Sequence, residues 1–423
     1  MKKTEATYTA KHVKSQRKKS SGKVITPQGV SSPAASIRSL GNISKDTSQD
    51  SRQDGSIDFQ IPGSGPLLGS EEMRKYLSGS QATVQVTTWN MGSLPLPKEH
   101  ELRKLFYHDE DESLKKVDIH VISIQECWPD SDAWELELQV CLGPGYALFH
   151  SLSFGTLHIS IFFRRDLLWF TTEPSDWTMS VRSGRLFKTK GCAGIAFGFF
   201  GSKFVFVNSH LSAGDESDRE NQRIDELHKI LQSYQKPSGK LNGSDAIFLS
   251  GDLNFRICRM TREDILDSLR RNRLDNVLEN DQLILLLKRP PDTLPKGLQG
   301  FMEAATITFR PTYKYDLGTD KFDSSNKKRA PAYTDRIIYK CKNMQNENPT
   351  VVCLAYEAVT SLRLSDHKPV YSIFSVHIKP GFDTLPLSGA RFKKDLFTRA
   401  AQKRAKFLLD RRKKLASTVC NLS

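Results

Sequence analysis

The chain has 423 residues, of which 38% are hydrophobic, and it carries a formal net charge of +14 at pH 7. This length suffices for one large domain or two average ones, and no apolar run approaches the roughly 18 residues of a membrane-spanning helix. The seven cysteines form no Cys-x-x-Cys pair, so we expect a reducing compartment and neither a disulfide framework nor a zinc site.

The positive charge is concentrated in two terminal segments. Residues 1–80 hold 13 Lys and Arg against 7 Asp and Glu, residues 391–415 hold 11 against 2, and the rest of the chain has a net charge of −1. This distribution is typical of tails that contact an anionic surface, and a neutral body does not favour nucleic acid as a partner.

Residues 1–78 are rich in Ser, Lys and Gly and lack periodic apolar positions, so we expect them to be disordered. They contain no apolar stretch like that of a secretory signal, and we expect a protein that is not secreted. The sequence predicts one folded domain over residues 79–380 and a basic helical tail over residues 381–423.

Strand-like and helix-like stretches alternate within the folded domain, which indicates a layered α/β architecture. Period-two alternation and β-rich runs predict strands, and apolar residues at helical spacing predict helices. In chain order we predict strands at 82–89, 118–126 and 157–166, a hairpin at 194–211 that turns at Gly201-Ser202, a helix at 218–234, a strand in AIFLSGD, a helix that begins with a capping box at Thr261, and strands in TDRIIYK and PVYSIFSVHI.

The tail, RFKKDLFTRAAQKRAKFLLDRRKKL, is predicted to be helical, with Phe392, Leu396 and Ala400 at i, i+4 spacing. Two interpretations remain open: a helix docked on the domain by this stripe, or a helix that lies on a membrane surface. The final CNLS has C-a-a-X form, with Cys420 as the acceptor and a terminal Ser that favours farnesyl. Because a prenyl group and a polybasic stretch together anchor a protein, we expect lipidation at Cys420.

Polar residues follow or precede several predicted strands, where loops gather. Each alone is typical of a turn or a surface position, whereas their joint occurrence in one domain indicates a site. The residues are Asn90, Glu126, Asn208, His210, Asp252, Asn254, Asp335, Asp366 and His367.

These residue types suit phosphoryl transfer to water. Asn90, Glu126 and Asp366 offer the hard oxygen ligands of a Mg²⁺ ion that also takes water and phosphate oxygens. Asp252 can hold an attacking water and accept its proton, and Asn254 can donate to a phosphoryl oxygen.

Two histidines complete the predicted site. His367 can stabilise developing charge if Asp335 fixes its tautomer, and His210 is a second donor for the phosphoryl oxygens.

The motifs resemble those of the inositol polyphosphate 5-phosphatases, Mg²⁺-dependent members of the larger exonuclease–endonuclease–phosphatase superfamily. SGDLNFR is similar to the family's Gly-Asp-Leu-Asn-Tyr-Arg signature, with Phe255 in place of Tyr. RAPAYTDRI resembles the second signature, Pro-Ala/Ser-Trp-Cys-Asp-Arg, from which Tyr333 and Thr334 depart. SDHKPV, WN and QE also match, and the resemblance covers roughly residues 80–380.

The resemblance implies a sandwich of two mixed β-sheets flanked by helices, and it assigns the same roles to the metal ligands, to Asp252 and to the His367–Asp335 pair. It further implies that Tyr313, Lys314, Lys327 and Arg329 grip the phosphate at ring position 4, with Lys190 as another phosphate contact. Charge-assisted hydrogen bonds from Lys and Arg suit such a dianion.

The expected activity is Mg²⁺-dependent hydrolysis of the 5-phosphate of PI(3,4,5)P3, PI(4,5)P2 and PI(3,5)P2 at a cytosolic membrane face. An activated water attacks in line and no phosphoenzyme forms. The expected partners are phosphoinositide lipids, an anionic membrane and a carrier of prenylated tails, with a monomeric protein at the Golgi, primary cilium or plasma membrane.

The same residues also have to be compared with three other protein classes. A nuclease of the same superfamily shares the residues but usually has a basic groove, whereas the body of this chain is neutral. An inactive membrane-associated scaffold is disfavoured because all candidate catalytic residues are present. A cysteine-type phosphatase is excluded because no cysteine is followed by Arg six positions on.

Overall fold

The computed structural model describes residues 60–61, 65–66, 68–106, 117–127, 130–182, 189–233, 243–342, 350–381 and 389–420. The predictions for residues 1–59 and for 421–423, the end of the C-a-a-X motif, lie outside the described residues.

The strands alternate with helices along the chain. The strands are β1 (Gln60–Ile61), β2 (Gly65–Pro66), β3 (Gln81–Asn90), β4 (Ile119–Gln125), β5 (Tyr146–Phe154), β6 (Leu157–Arg164), β7 (Ser175–Ser180), β8 (Gly191–Phe199), β9 (Ser202–His210), β10 (Ala246–Asp252), β11 (Met302–Glu303), β12 (Asp335–Cys341), β13 (Val351–Ala358) and β14 (Val370–His377). The helices are α1 (Ser70–Tyr76), α2 (Glu99–Leu102), α3 (Ser131–Leu142), α4 (Ser217–Ser233), α5 (Arg262–Arg270), α6 (Leu274–Leu278), α7 (Gln282–Leu287) and α8 (Lys394–Cys420), with 3₁₀ turns at Ser78–Ser80, Arg103–Leu105 and Arg165–Phe170.

Two six-stranded sheets form the body of the described residues. The first has the order β11-β12-β10-β9-β8-β7 and the second the order β13-β14-β3-β4-β6-β5. Both sheets are mixed, because β9 and β10 are parallel in the first and β3 and β4 are parallel in the second, among otherwise antiparallel neighbours. The predicted fold, two mixed sheets flanked by helices, is confirmed.

The apolar strands are buried on both faces, which explains why they read as continuous hydrophobic runs. In β10, Phe248 packs into the core between the sheets, where its ring centroid lies 5.2 Å from that of Phe206. Its neighbours Ile247 and Leu249 face the opposite way, toward α4 and α7. Helix α3 covers the outer face of the second sheet with Trp134 and other apolar residues.

The prediction of disorder over residues 1–78 is wrong for its last part. Residues 70–76 form α1, and Leu68, Met73 and Leu77 are buried in the core between the sheets. These three apolar side chains have no regular period, so the pattern predicts no element, but their burial stabilises the helix.

The predicted hairpin is present, but it turns one residue earlier than expected. Strand β8 ends at Phe199 and β9 begins at Ser202, so Phe200 and Gly201 form the turn, with Phe200 at φ 47°. Gly201 is required for close packing, since a Cβ there would lie 2.1 Å from the carbonyl oxygen of Pro380.

The tail helix α8 docks on the domain through its first half. Leu396 and Ala400 of the predicted stripe are buried, and Arg404 Nη1 donates to the carbonyl oxygen of Val140 in α3 at 2.8 Å. Ion pairs join α8 to acidic residues of α3: Arg399 to Asp132, and Lys403 to Glu137. The docking interpretation therefore holds for this half of the helix.

The second half of α8 extends beyond this contact. Phe407, Leu408 and Leu409 are exposed there, in the midst of basic residues. Among the helices in the described part of the chain, none is long and apolar enough to cross a membrane.

Candidate active site

The site lies where the carboxyl ends of both parallel strand pairs meet. Asp252 at the end of β10 pairs in register with His210 at the end of β9, and Asn90 at the end of β3 pairs with Gln125 at the end of β4. Ten of the thirteen predicted catalytic, metal and substrate residues line one cavity of about 440 Å³ at this edge. They are Asn90, Glu126, Lys190, His210, Asp252, Asn254, Tyr313, Lys314, Asp366 and His367.

Asp252 is the centre of a buried hydrogen-bond network. Its Oδ2 accepts from Asn90 Nδ2 at 2.9 Å and lies 3.1 Å from His210 Nε2, and its Oδ1 accepts from the backbone N–H of Asn254 at 3.1 Å. Burial by itself would raise the pKa of Asp252. The charges of His210, His367 and Lys190 outweigh burial and hold this pKa well below its usual range. Asp252 is therefore an ionised acceptor that can orient a water, but it binds a proton only weakly.

His210 lies between Asp252 and the buried ammonium group of Lys190. Burial lowers the pKa of His210, and the charge of Lys190 lowers it further. The sequence predicts His210 as a donor to phosphoryl oxygens, whereas its Nε2 faces the Asp252 carboxylate. The geometry therefore places His210 Nε2 against Asp252 and Lys190, and not toward a phosphoryl oxygen.

His367 and Asp335 form the second part of the site. His367 Nδ1 lies 2.9 Å from Asp335 Oδ2, which also accepts hydrogen bonds from the hydroxyls of Thr312 at 2.7 Å and Thr334 at 2.9 Å. Asp335 is fully buried behind the imidazole, so it contacts the cavity only through His367. Because Nδ1 of His367 contacts Asp335, its Nε2 remains available to the cavity.

The His367 imidazole is held in its protonated form. Burial lowers the pKa of His367, but the charge and hydrogen bond of Asp335, with the charges of Asp252 and Asp366, raise this pKa to about 9. A protonated ring can donate a hydrogen bond to an oxygen that gains negative charge.

The loop that carries Asp366 and His367 is fastened to the end of β3. Ser365 Oγ donates to the carbonyl oxygen of Asn90 at 2.7 Å and accepts from the backbone N–H of His367 at 3.2 Å. Trp89 Nε1 donates to the carbonyl oxygen of His367 at 3.2 Å. These bonds couple the two halves of the site.

The predicted metal ligands supply oxygen atoms at one side of the cavity. The Glu126 side chain is 40% exposed and its backbone has φ 49°, a left-handed conformation that turns the residue after β4. Asn90 Oδ1 accepts from the backbone N–H of Gly92, and Asp366 pairs with Lys314. Over the described part of the chain, no group of three or more His, Cys, Asp or Glu side chains has the arrangement of a metal site.

Glu126 and Asn90 nevertheless fit a Mg²⁺ ion, which is usually held by one or two protein oxygens, water and substrate phosphate. Asp366 fits less well, because its carboxylate already binds an ammonium group.

Asn254 and Arg256 form a pair beside Asp252. Asn254 has φ 55°, donates from Nδ2 to the carbonyl oxygen of Leu211 at 3.1 Å, and accepts from Arg256 Nη2 at 2.7 Å. One N–H of the Asn254 amide remains outside these bonds, and its contact with a phosphoryl oxygen stays a prediction. The Arg256 guanidinium lies 4.7 Å from the ring centroid of Tyr313 and lines the cavity, a position the sequence analysis missed although LNFR contains it.

The predicted substrate residues divide into two groups. Tyr313, Lys314 and Lys190 line the cavity, whereas Lys327 and Arg329 do not. Lys327 is exposed, and Arg329 is ion-paired with Asp215. The predicted contacts of these two with a substrate therefore require a group that extends beyond the cavity.

Comparisons with known proteins agree with this architecture. The sequence profile of Endonuclease/Exonuclease/phosphatase family 2 matches residues 87–373, more than half of the chain. The chain belongs to this family. The phosphatidylinositol polyphosphate 5-phosphatase type IV of Mus musculus is 33% identical over 410 residues, which are 92% of this chain and 61% of the relative. The chain thus spans about three fifths of the length of that relative, and the resemblance noted in the sequence is confirmed.

Solved structures share the fold. The inositol polyphosphate 5-phosphatase domain of SpSynaptojanin, in complex with inositol (1,4)-bisphosphate and calcium ion, has a TM-score of 0.61 and 25% identity, and the match covers 81% of this chain and 97% of that one. A Cimex nitrophorin, solved as a ferrous NO complex, has a TM-score of 0.55 and 23% identity, with 71% and 99% covered. Since the fold also occurs in a nitrophorin, function has to be argued from the site.

Proposed function

We propose that this chain hydrolyses the 5-phosphate of phosphoinositides, with PI(3,4,5)P3, PI(4,5)P2 and PI(3,5)P2 as substrates. The observation that carries the proposal is the convergence of Asp252, the His367–Asp335 pair and the Glu126–Asn90 oxygens on one cavity. The names of the relatives support the same class of substrate.

The proposed mechanism uses in-line attack of water without a phosphoenzyme. The Asp252 carboxylate holds the water and directs its oxygen at phosphorus, and His210 keeps that carboxylate in place. The bond from water oxygen to phosphorus forms as the bond to the ring oxygen breaks. The water proton passes to the Asp252 carboxylate, and the departing ring oxygen takes a proton from solvent. The protonated His367 and the free N–H of Asn254 donate to oxygens that gain charge.

A divalent cation, which we propose is Mg²⁺, would be held by Glu126 and Asn90 and would neutralise charge on the phosphate. Lys190, Lys314 and Arg256 add fixed positive charge along the cavity wall. A phosphate monoester dianion with a neighbouring phosphate group matches these positive side chains better than a single phosphodiester does.

We further propose that the chain works at the cytosolic face of a Golgi, ciliary or plasma membrane. The second half of α8 supports this, because exposed Phe407, Leu408 and Leu409 lie beside exposed Lys406 and Arg411. Prenylation of Cys420 remains a prediction, since the motif requires Ser423 to end the mature chain. Mass spectrometry of the C-terminal peptide and the partition of Cys420→Ser between membrane and soluble fractions test it.

The activity is tested by phosphate release from short-chain phosphoinositides with Mg²⁺, beside a plasmid-nicking assay. The control is Glu216→Gln, at a side chain that is 73% exposed. Phosphate release that Asp252→Asn abolishes and Glu216→Gln leaves intact supports a phosphatase. Nicked plasmid without release indicates the nuclease alternative, and neither activity indicates the scaffold.

A further inference from the structure

Asp215 contacts two arginines that come from different parts of the chain. Its Oδ2 accepts a hydrogen bond from Arg329 Nη1 at 2.6 Å, and its Oδ1 lies 3.5 Å from Arg256 Nε. The three residues belong to three separate loops, one after β9, one after β10 and one before β12. A single carboxylate therefore joins two guanidinium groups at the rim of the candidate active site.

The loop that carries Asp215 is fixed to a buried scaffold. Arg223, which is fully buried in α4, donates from Nη1 to the carbonyl oxygen of Gly214 at 2.9 Å and from Nη2 to Gln282 Oε1 at 2.8 Å. Gln282 Oε1 also accepts the backbone N–H of Arg256 at 2.9 Å. The carboxylate and one of its two arginines are thus held by the same buried side chains.

The backbone of Arg329 is held by a hydrogen bond, whereas its side chain is long and partly exposed. Its backbone N–H donates to Asp323 Oδ2 at 2.8 Å, while its side chain is 38% exposed. Two guanidinium groups side by side repel each other, and a long exposed side chain loses rotamer freedom when it is ordered. The Asp215 carboxylate offsets both effects, because it attracts both arginines. It uses only one N–H donor of Arg329, so the other donors of that guanidinium can bind a ligand.

We propose that Asp215 is a positioning residue that determines specificity, because it holds Arg256 and Arg329 together to receive a second phosphate next to the one that is removed. This rests on the proposed function. A vicinal phosphate is a dianion that several guanidinium N–H groups can bind at once. Substrates that lack this phosphate gain nothing from Asp215.

The test compares steady-state kinetics for short-chain PI(4,5)P2 and short-chain PI5P, which lacks the neighbouring phosphate. The variants are Asp215→Ala and Asp215→Asn, each checked for unchanged thermal unfolding. The matched control is Glu216→Ala, which removes the same charge from the next residue. The Glu216 side chain is 73% exposed, and its carboxylate lies 3.5 Å from Arg219 Nε.

We expect Asp215→Ala and Asp215→Asn to raise KM for PI(4,5)P2 roughly three- to fivefold, the size of a half-exposed ion pair, with kcat and the PI5P kinetics unchanged. Equal effects on both substrates, a lower KM, or the same effect in Glu216→Ala would overturn the inference alone. A wild-type protein that releases phosphate from neither substrate would overturn the proposed function and this inference together.

Discussion

Replacement of Asp335 by Asn isolates the contribution of one buried charge to the site. Asp335 has no exposed surface, and its Oδ2 accepts from His367 Nδ1 at 2.9 Å. An amide of the same shape can still accept from the hydroxyls of Thr312 and Thr334, so the fold is retained. What is lost is the charge that supports a protonated His367.

The magnitude follows from the strength of that bond. A hydrogen bond to a charged group contributes about 1.5–3 kcal/mol. If the His367–Asp335 bond is strongest in the transition state, when His367 donates to an oxygen that gains charge, its loss lowers kcat roughly 10- to 150-fold. KM should stay nearly constant, because Tyr313 and Lys314 are untouched.

The assay is phosphate release from short-chain PI(4,5)P2 under saturating Mg²⁺, with thermal unfolding measured in parallel. The matched control is Asp176→Asn, since Asp176 pairs with His150 at 2.7 Å on strands away from the cavity. A wild-type kcat in Asp335→Asn, or an equal loss in Asp176→Asn, would refute the role of the His367–Asp335 pair.

Three further outcomes are expected. Asp252→Asn should lower kcat about 10²- to 10⁴-fold, the usual range for loss of a group that accepts a proton, and a residual rate near that of wild type would exclude its role in holding water. Chelation by EDTA should abolish phosphate release and Mg²⁺ restore it, while Glu126→Gln should raise the Mg²⁺ concentration for half-maximal rate about 10-fold; an unchanged Mg²⁺ titration would argue against Glu126 as a ligand. Leu396→Ala should weaken the docking of α8 on the domain by about 2–3 kcal/mol, measured as faster hydrogen exchange in the helix. Leu408→Ala, at an exposed position, should leave the exchange rates unchanged. Equal exchange in the two variants would contradict the docked arrangement.

The sequence predicts which residues meet at the cavity where each of them ends a buried strand. In AIFLSGD the apolar run predicts a central strand, and the polar residues after it must then lie at the edge of the sheet. The same reasoning applies to Asn90 and Glu126, whose strands are adjacent and parallel. Strand periodicity and loop position are local properties, and one sequence shows them.

Contacts between distant loops could not be predicted in this way. Lys314 is assigned to the substrate by resemblance and Asp366 to the metal by its carboxylate chemistry, yet the two side chains pair with each other in the fold. Arg256 carries its signal in LNFR, but only the fold reveals that Asp215 lies beside it. The helix at 70–76 is likewise stabilised by the tertiary burial of Met73, and no local hydrophobic period in the sequence predicts this burial.

The most direct test of the central claim is the identity of the product from short-chain PI(4,5)P2 and Mg²⁺. If the cavity around Asp252 and His367 removes the 5-phosphate, the product is PI4P, and Asp252→Asn forms none above background. Formation of PI5P, or equal formation of PI4P by the wild-type protein and Asp252→Asn, would contradict the claim.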